Sequence, residues 1–359
     1  MTQTADSASA PPTRWDTSRS AASGLPTHVP LAVQTRGDVV EGVHYGSVAV
    51  INADGTLAWE AGDASRPFYP RSALKPLQAV ALVRAGLDVP EELLALSAAS
   101  HSGAPKHRDG ARRILALHGL DVSALANTPD LPYGVAERED WLRAGGSADQ
   151  LCQNCSGKHA AMVAVCKLNG WTVQDYLDPQ HPLQQLVATT VEELTGEAPA
   201  AWSTDGCGTP LPALTLAGIA RAYGRLAQAA ANDGGNGTLG AEAAVARAMS
   251  ANPEMVAGEG RDVARLMRLL PGSVAKDGFE GVQLVGLPDG RAVAVKISDG
   301  GDRARMPVAV RALTVLGVPE AGPDGALAEL ASAPVLGGGR PVGSFTALDT
   351  AFPETPASA

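Results

Sequence analysis

Apolar residues fall along the chain in two kinds of run. Short runs rich in valine and isoleucine lie near both ends. Residues 46–52 (GSVAVIN) are followed by Asp54-Gly55 and a second short run at 56–59. Far downstream, 282–287 and 291–297 flank Pro-Asp-Gly at 288–290. Two extended runs joined by a tight polar turn predict a hairpin in each place. Between the hairpins the apolar residues are denser and spaced for helices, at 77–85, 111–117, 160–168, 183–194, 214–230 and 263–270. Stretches 305–316 and 326–331 add two more. Gly86, Gly119 and Gly170 stand where helices would stop. Strands at both ends with helices between predict an antiparallel sheet built from both ends of the chain around a helical insertion. That is an α+β fold rather than a βαβ repeat.

The ends of the 359-residue chain break this pattern. Residues 1–26 are rich in Thr, Ser, Ala and Pro and lack the apolar core of a signal peptide, so they read as a disordered tail. Residues 353–359 read the same way, which leaves one domain of two lobes over 27–352. The Gly-rich stretch 232–240 reads as a surface loop. No run of about 18 apolar residues occurs, so no membrane span is expected and the cytoplasm is the expected location. Charge narrows the partners. With 28 Lys+Arg against 38 Asp+Glu the net charge is −10, which argues against binding nucleic acid or an anionic membrane. Aromatics are 4%, too few to build base-stacking platforms.

Four strings carry candidate chemistry. In Pro-Arg-Ser-Ala-Leu-Lys-Pro at 70–76, Ser72 and Lys75 are one helical turn apart on one face. Burial lowers a lysine's proton affinity, so such an amine can take the proton of a serine nucleophile. The alternative is a capping serine and a solvated lysine. Ser-Ala-Ala-Ser-His-Ser-Gly at 97–103 suits a tight loop at the edge of a site, or a plain turn. Cys-Gln-Asn-Cys-Ser-Gly-Lys-His at 152–159 is answered by Asp-Gly-Cys-Gly at 205–208. Cys152, Cys155, Cys166 and Cys207 are too few for a disulfide scaffold in so long a chain. A structural zinc site, a redox pair and small buried cysteines all remain open for them. Lastly, Val-Ala-Lys-Asp-Gly-Phe-Glu-Gly at 274–281 places Lys276 at a strand entry, facing either inward or to water.

Each string is weak alone. In this order, Pro-Arg-Ser-x-x-Lys-x-x-Gln, Ser-His-Ser-Gly, Asn-Cys-Ser-Gly-Lys-His, Asp-Gly-Cys-Gly and Lys-Asp-Gly-x-x-Gly are specific together. The chain resembles the L-asparaginase II family of the Rhizobium etli type, whose fold is similar to serine β-lactamases and glutaminases, from about residue 42 to residue 305. The resemblance implies that Ser72 and Lys75 form a first serine–lysine pair with Ser72 as nucleophile, and that Ser100 and Lys276 form a second. It further implies that Cys155, Lys158 and Cys207 hold a zinc ion near the substrate. His159, Asp205 and Arg71 then fall on positions that bind substrate or order the metal, whereas Cys152 and Cys166 have no such counterpart.

The expectation is an amidohydrolase that converts L-asparagine to L-aspartate and ammonia through a serine acyl-enzyme, with zinc as cofactor and a homodimer as assembly. Two rivals stand beside it. One is another serine–lysine acyl enzyme, such as a glutaminase or a β-lactamase-like hydrolase. The other is a zinc-binding module without enzymatic activity, built on Cys152, Cys155 and Cys207.

Overall fold

The computed structural model describes residues 25–232 and 239–353. The expected tails, apart from Leu25, Pro26 and Pro353, and most of the expected 232–240 loop lie outside the described residues.

The strands are β1 (Val29–Arg36), β2 (Val39–Ile51) and β3 (Leu57–Ala61), then β4 (Ala201–Thr204) and β5 (Pro210–Ala213). After the helical region come β6 (Val274–Gly278), β7 (Val282–Gly286), β8 (Ala292–Ile297), β9 (Ser332–Gly337) and β10 (Arg340–Ala347). One antiparallel sheet runs in the order β6-β7-β8-β2-β1-β10-β9, with β3 also paired to β2, and β4-β5 form a separate two-stranded ribbon. The sheet therefore draws strands from both ends of the chain, as the hairpin signals predict. The edge strand β6 and its neighbour β7 are buried throughout and β8 nearly so, although β6 carries Lys276 and Asp277 and β7 carries Gln283.

The helices are α1 (Lys75–Arg84), α2 (Glu91–Ser97), α3 (Pro105–Leu117), α4 (Val135–Arg143), α5 (Ser156–Leu168) and α6 (Pro182–Thr195). They continue as α7 (Leu216–Asn232), α8 (Ala241–Ala251), α9 (Pro253–Val256), α10 (Asp262–Leu269) and α11 (Arg305–Val315). Only a single 3-10 turn, at 328–330, answers the helix expected over 326–331. Gly86, Gly119 and Gly170 take positive φ after α1, α3 and α5, the left-handed conformation that ends a helix without a Cβ clash.

Helix α7 packs on β2, β7 and β8. The approach is close because glycines line it: a Cβ on Gly224 would meet the Gly290 carbonyl oxygen at 2.1 Å, and one on Gly286 the Tyr223 oxygen at 2.2 Å. Tyr223, fully buried on α7, donates its hydroxyl to the Ala73 carbonyl at 2.7 Å and so ties the sheet-packed helix to the turn carrying Ser72. Pro76 falls in the first turn of α1, where its missing N–H has no helical partner to lose. No helix among the described residues is long and apolar enough to cross a membrane.

Candidate active site

Ser72 lies in a 3-10 turn, Arg71–Leu74, that runs straight into α1. The residue before it is strained: Arg71 has φ +52, a left-handed conformation that costs a side-chain-bearing residue about 1–2 kcal/mol. Three contacts hold the Arg71 side chain. Its Nε donates to Asp205 Oδ1 at 2.7 Å, its Nη1 lies 3.8 Å from Glu280 Oε1, and its guanidinium lies 5.8 Å from the Phe279 ring centre. Strand β6 presses on the same turn, and only glycine fits at its end. A Cβ on Gly278 would sit 2.4 Å from the Pro70 carbonyl oxygen.

The structure brings the first lysine to the second serine. Lys75, buried at the start of α1, donates from Nζ to Ser100 Oγ at 3.0 Å and to the Ala99 carbonyl at 2.6 Å. Ser100 follows α2, its N–H bonded to the Val256 carbonyl at 2.9 Å. Lys276, the expected partner of Ser100, bonds instead to its own neighbour. Its Nζ donates to Asp277 Oδ1 at 2.6 Å and to the Asp277 carbonyl at 2.8 Å. Burial pulls the Lys276 ammonium down to about 8, against the pull of Asp277 in the other direction. Asp277 stays well below the usual carboxylate range: Lys276, Arg261 and Arg305 together outweigh its own burial.

Ser72 and Ser100 share a cleft with Tyr133, Asn154, Asp277, Gly278, Phe279 and Asp302. Its volume, about 10 Å³, is the room of a single water. A larger cavity of about 750 Å³, lined by Val310, Arg311, Thr346 and Asp349 among others, touches none of the candidate residues.

Cys155, Lys158, Cys207 and His159 form a second buried cluster behind Asn154, which accepts the Cys155 thiol at 3.1 Å. Lys158 Nζ donates to Cys207 Sγ at 3.1 Å and to Thr209 Oγ1 at 3.0 Å. A hydrogen bond from Cys155 is the largest influence holding the Cys207 thiol well below its ordinary range, with Lys158 and His159 adding to it. Its interaction with Cys207 and its burial push the Cys155 thiol up. Burial alone would lower Lys158, but the two sulfurs and Asp205 outweigh it and raise it. His159 Nδ1 meets the Tyr176 hydroxyl at 2.6 Å, while its buried Nε2 has no hydrogen-bond partner.

Two sulfurs and one amine nitrogen, buried together, are donors of the type zinc takes once Lys158 has lost its proton, so these three residues fit the ion. Lysine is essential to that fit. Among the described residues no group of three or more His, Cys, Asp or Glu side chains is placed to hold a metal. Cys152 and Cys166 are buried thiols, both pushed up to about 12 chiefly by burial. All four cysteines are free.

Three residues of this arrangement were not among the sequence candidates. Asp277 was visible in Lys-Asp-Gly but has meaning only once its bond to Lys276 is seen. Arg261 follows two glycines in Gly-Glu-Gly-Arg, the signal of a tight turn and no more. Nothing local marks Tyr133.

A buried lysine at a helix start, bonded to a serine that lines one cleft with a second serine, is an arrangement able to support hydrolysis through a serine. The chain belongs to the L-asparaginase II family, whose model matches residues 32–347. Among solved structures it is similar to a β-lactamase from Mycobacterium bovis, with 18% identity, 76% of this chain and 94% of that chain covered, and a TM-score of 0.35. It is similar also to Mglu, with 18% identity, 72% of this chain and 62% of that chain covered, and a TM-score of 0.30. The search of curated proteins found no match.

Proposed function

We propose that the protein hydrolyses the side-chain amide of L-asparagine to give L-aspartate and ammonia. Family membership supports amide hydrolysis, and the observation that carries the assignment to these residues is the Lys75–Ser100 hydrogen bond at the wall of a cleft shared with Ser72. In the proposed sequence, Ser72 Oγ attacks the amide carbon while its proton passes through Ser100 Oγ to Lys75 Nζ. The tetrahedral adduct collapses, the C–N bond breaks, and the nitrogen leaves as ammonia with a proton returned along the same path. Water then adds to the Ser72 ester, giving up a proton to the same groups, and aspartate departs. The lysines act best dry, and Lys75 and Lys276 are both buried.

Cys155, Lys158 and Cys207 would hold zinc, with His159 and Asp205 beside it. When bound, the ion would supply a fixed positive charge able to anchor a substrate carboxylate. Arg71 is already engaged with Asp205, so its part is to hold the turn before Ser72. The preference for the shorter amide rests on family membership, since one more methylene in a close-fitting site displaces the reacting carbon or clashes.

The Lys75–Ser100 bond also favours a second reading, in which Ser100 is the nucleophile and Ser72 the relay. Ammonia release from L-asparagine, L-glutamine and a chromogenic cephalosporin, assayed side by side, tests the substrate. Asparagine turnover well above that of the other two is the expected result. Equal release from both amino-acid amides overturns the preference, and cephalosporin cleavage alone overturns the assignment.

A further inference from the structure

Arg261 is absent from the cleft lining, yet it touches three groups that line or face it. It lies at the start of α10, delivered by a turn in which Gly258 and Gly260 take φ +135 and +73. A Cβ on Gly258 would meet Ser102 Oγ at 2.7 Å, so this glycine lets the turn lie directly on the 97–103 loop. From there one arm of the guanidinium, Nη1, donates to the Ser100 carbonyl at 2.7 Å. The other, Nη2, donates to Asp277 Oδ2 at 2.6 Å. Its Cζ lies 4.8 Å from the Tyr133 ring centre. Asp277 in turn offers its second oxygen to Lys276. The side chains of Arg261 and Asp277 are 17% and 11% exposed, so water does little to screen the pair.

We propose that the Arg261–Asp277 ion pair is a positioning device joining the two serine–lysine pairs: Arg261 fixes the Ser100 backbone and the Asp277 carboxylate in one fork, and Asp277 anchors the Lys276 side chain. The inference rests on the amidohydrolase reading above. Neither residue need touch the reacting atoms for this role. Ser100 is held at its N–H by Val256, at its carbonyl by Arg261 and at its hydroxyl by Lys75, so removing the fork frees one of three restraints on a reacting group. The charges acting on Lys276 are Asp277 on its own strand, Lys75 from α1 and Arg261 from the turn before α10. Arg305 from α11 acts on Asp277 as well.

The two ends of the pair have opposite effects on Lys276, and this separates a positioning role from a merely structural one. Asp277→Asn removes the anion that stabilises the ammonium, so Lys276 gives up its proton at lower pH. Arg261→Met removes one of the cations that share Asp277, leaving Lys276 and Arg305, so Lys276 keeps its proton to higher pH. Shifts of about one pH unit each way are expected for charges at this distance.

The test is the titration of lysine side chains by NMR on labelled full-length protein, with Lys276 identified by its loss in Lys276→Met. It is run on wild type, Asp277→Asn and Arg261→Met, with kcat against pH measured alongside. Arg261→Gln replaces Arg261→Met if that variant does not melt cooperatively. Arg261→Lys should restore the wild-type titration but not kcat, because one ammonium cannot span both partners. Opposite shifts of the Lys276 titration, with kcat lowered at least tenfold in Arg261→Met and Arg261→Lys, are the expected result. Shifts in one direction, or none, overturn the proposal. A wild-type enzyme that releases no ammonia from any amide would sink the amidohydrolase reading instead, and the NMR titration would still read the pair.

Discussion

Lys75→Met separates what this lysine does for the fold from what it does for the reaction. Lys75 is 1% exposed, and its Nζ is satisfied by the Ala99 carbonyl at 2.6 Å and Ser100 Oγ at 3.0 Å. Losing two buried hydrogen bonds removes about 1–3 kcal/mol. Against this, the desolvation penalty of the buried Nζ, about 1–3 kcal/mol, disappears with the group. Methionine is unbranched and close in length, so it fills the same space beside Leu74 and Ser100 without a large cavity. The two contributions nearly cancel, and we expect stability to change by no more than about 2 kcal/mol in either direction. For a domain of this size that is a melting shift of about 5 °C or less. Turnover has no such compensation. Without an amine to take the serine proton, kcat should fall by at least about 10³-fold. Lys75→Met/Ser100→Ala should be scarcely worse than Lys75→Met, since the two groups act through one hydrogen bond. Calorimetry and ammonia release on the same preparations give both numbers. A variant retaining a tenth of wild-type turnover, or one that melts 15 °C lower, refutes the reasoning at its catalytic or its energetic step respectively.

Burial holds His107 down to about 4, so the unfolded chain binds its proton near 6.5 and the folded chain does not until about 4. Stability should therefore be lost as pH falls from 6.5 to 4, by up to about 3 kcal/mol from this group, and urea melts of His107→Gln should show a flatter acid limb; an unchanged limb rejects the assignment. Elemental analysis should find about one zinc per chain, lost in Cys155→Ser and Cys207→Ser and kept in Cys152→Ser; retention in Cys207→Ser removes the proposed ligand set. Gly278→Ala should lower stability by about 1–3 kcal/mol and kcat more than tenfold, because the added Cβ forces β6 off the Ser72 turn; wild-type values in thermal melts and kinetics would show that this contact is loose.

The parts of the fold legible in the sequence are those with strong apolar contrast. The β2-β3 and β7-β8 hairpins and helices α1, α3, α5, α6, α7, α10 and α11 fall where the pattern puts them, most ends off by a few residues, but β2 starts at Val39 and α3 at Pro105, well before the expected 46 and 111. Helix α4 buries none of its nine residues and so has no apolar face to read. In α8 the alanines that fill the sequence give no contrast between faces. Strands β1, β9 and β10 have mixed exposure, and prolines at 30, 334 and 341 weaken their signal.

The site divides in the same way. Both serines and both lysines were visible as motifs, but spacing alone pairs Ser72 with Lys75. The cross-chain bond from Lys75 to Ser100 exists only because the 97–103 loop folds back over the start of α1. The Lys276–Asp277 pair hides for another reason. Adjacent strand residues point to opposite faces, so their bond is invisible until β6 is seen to end there, at Gly278.

The account's central claim is a covalent serine ester, and mass spectrometry of acid-quenched enzyme reads it most directly. Mixed with L-asparagine and digested, wild-type protein should carry an aspartyl group on the peptide containing Ser72, and Ser72→Ala should carry none. An aspartyl group on Ser100 would reverse the roles of the two serines. Steady ammonia release with no acyl group on either serine would contradict the mechanism altogether.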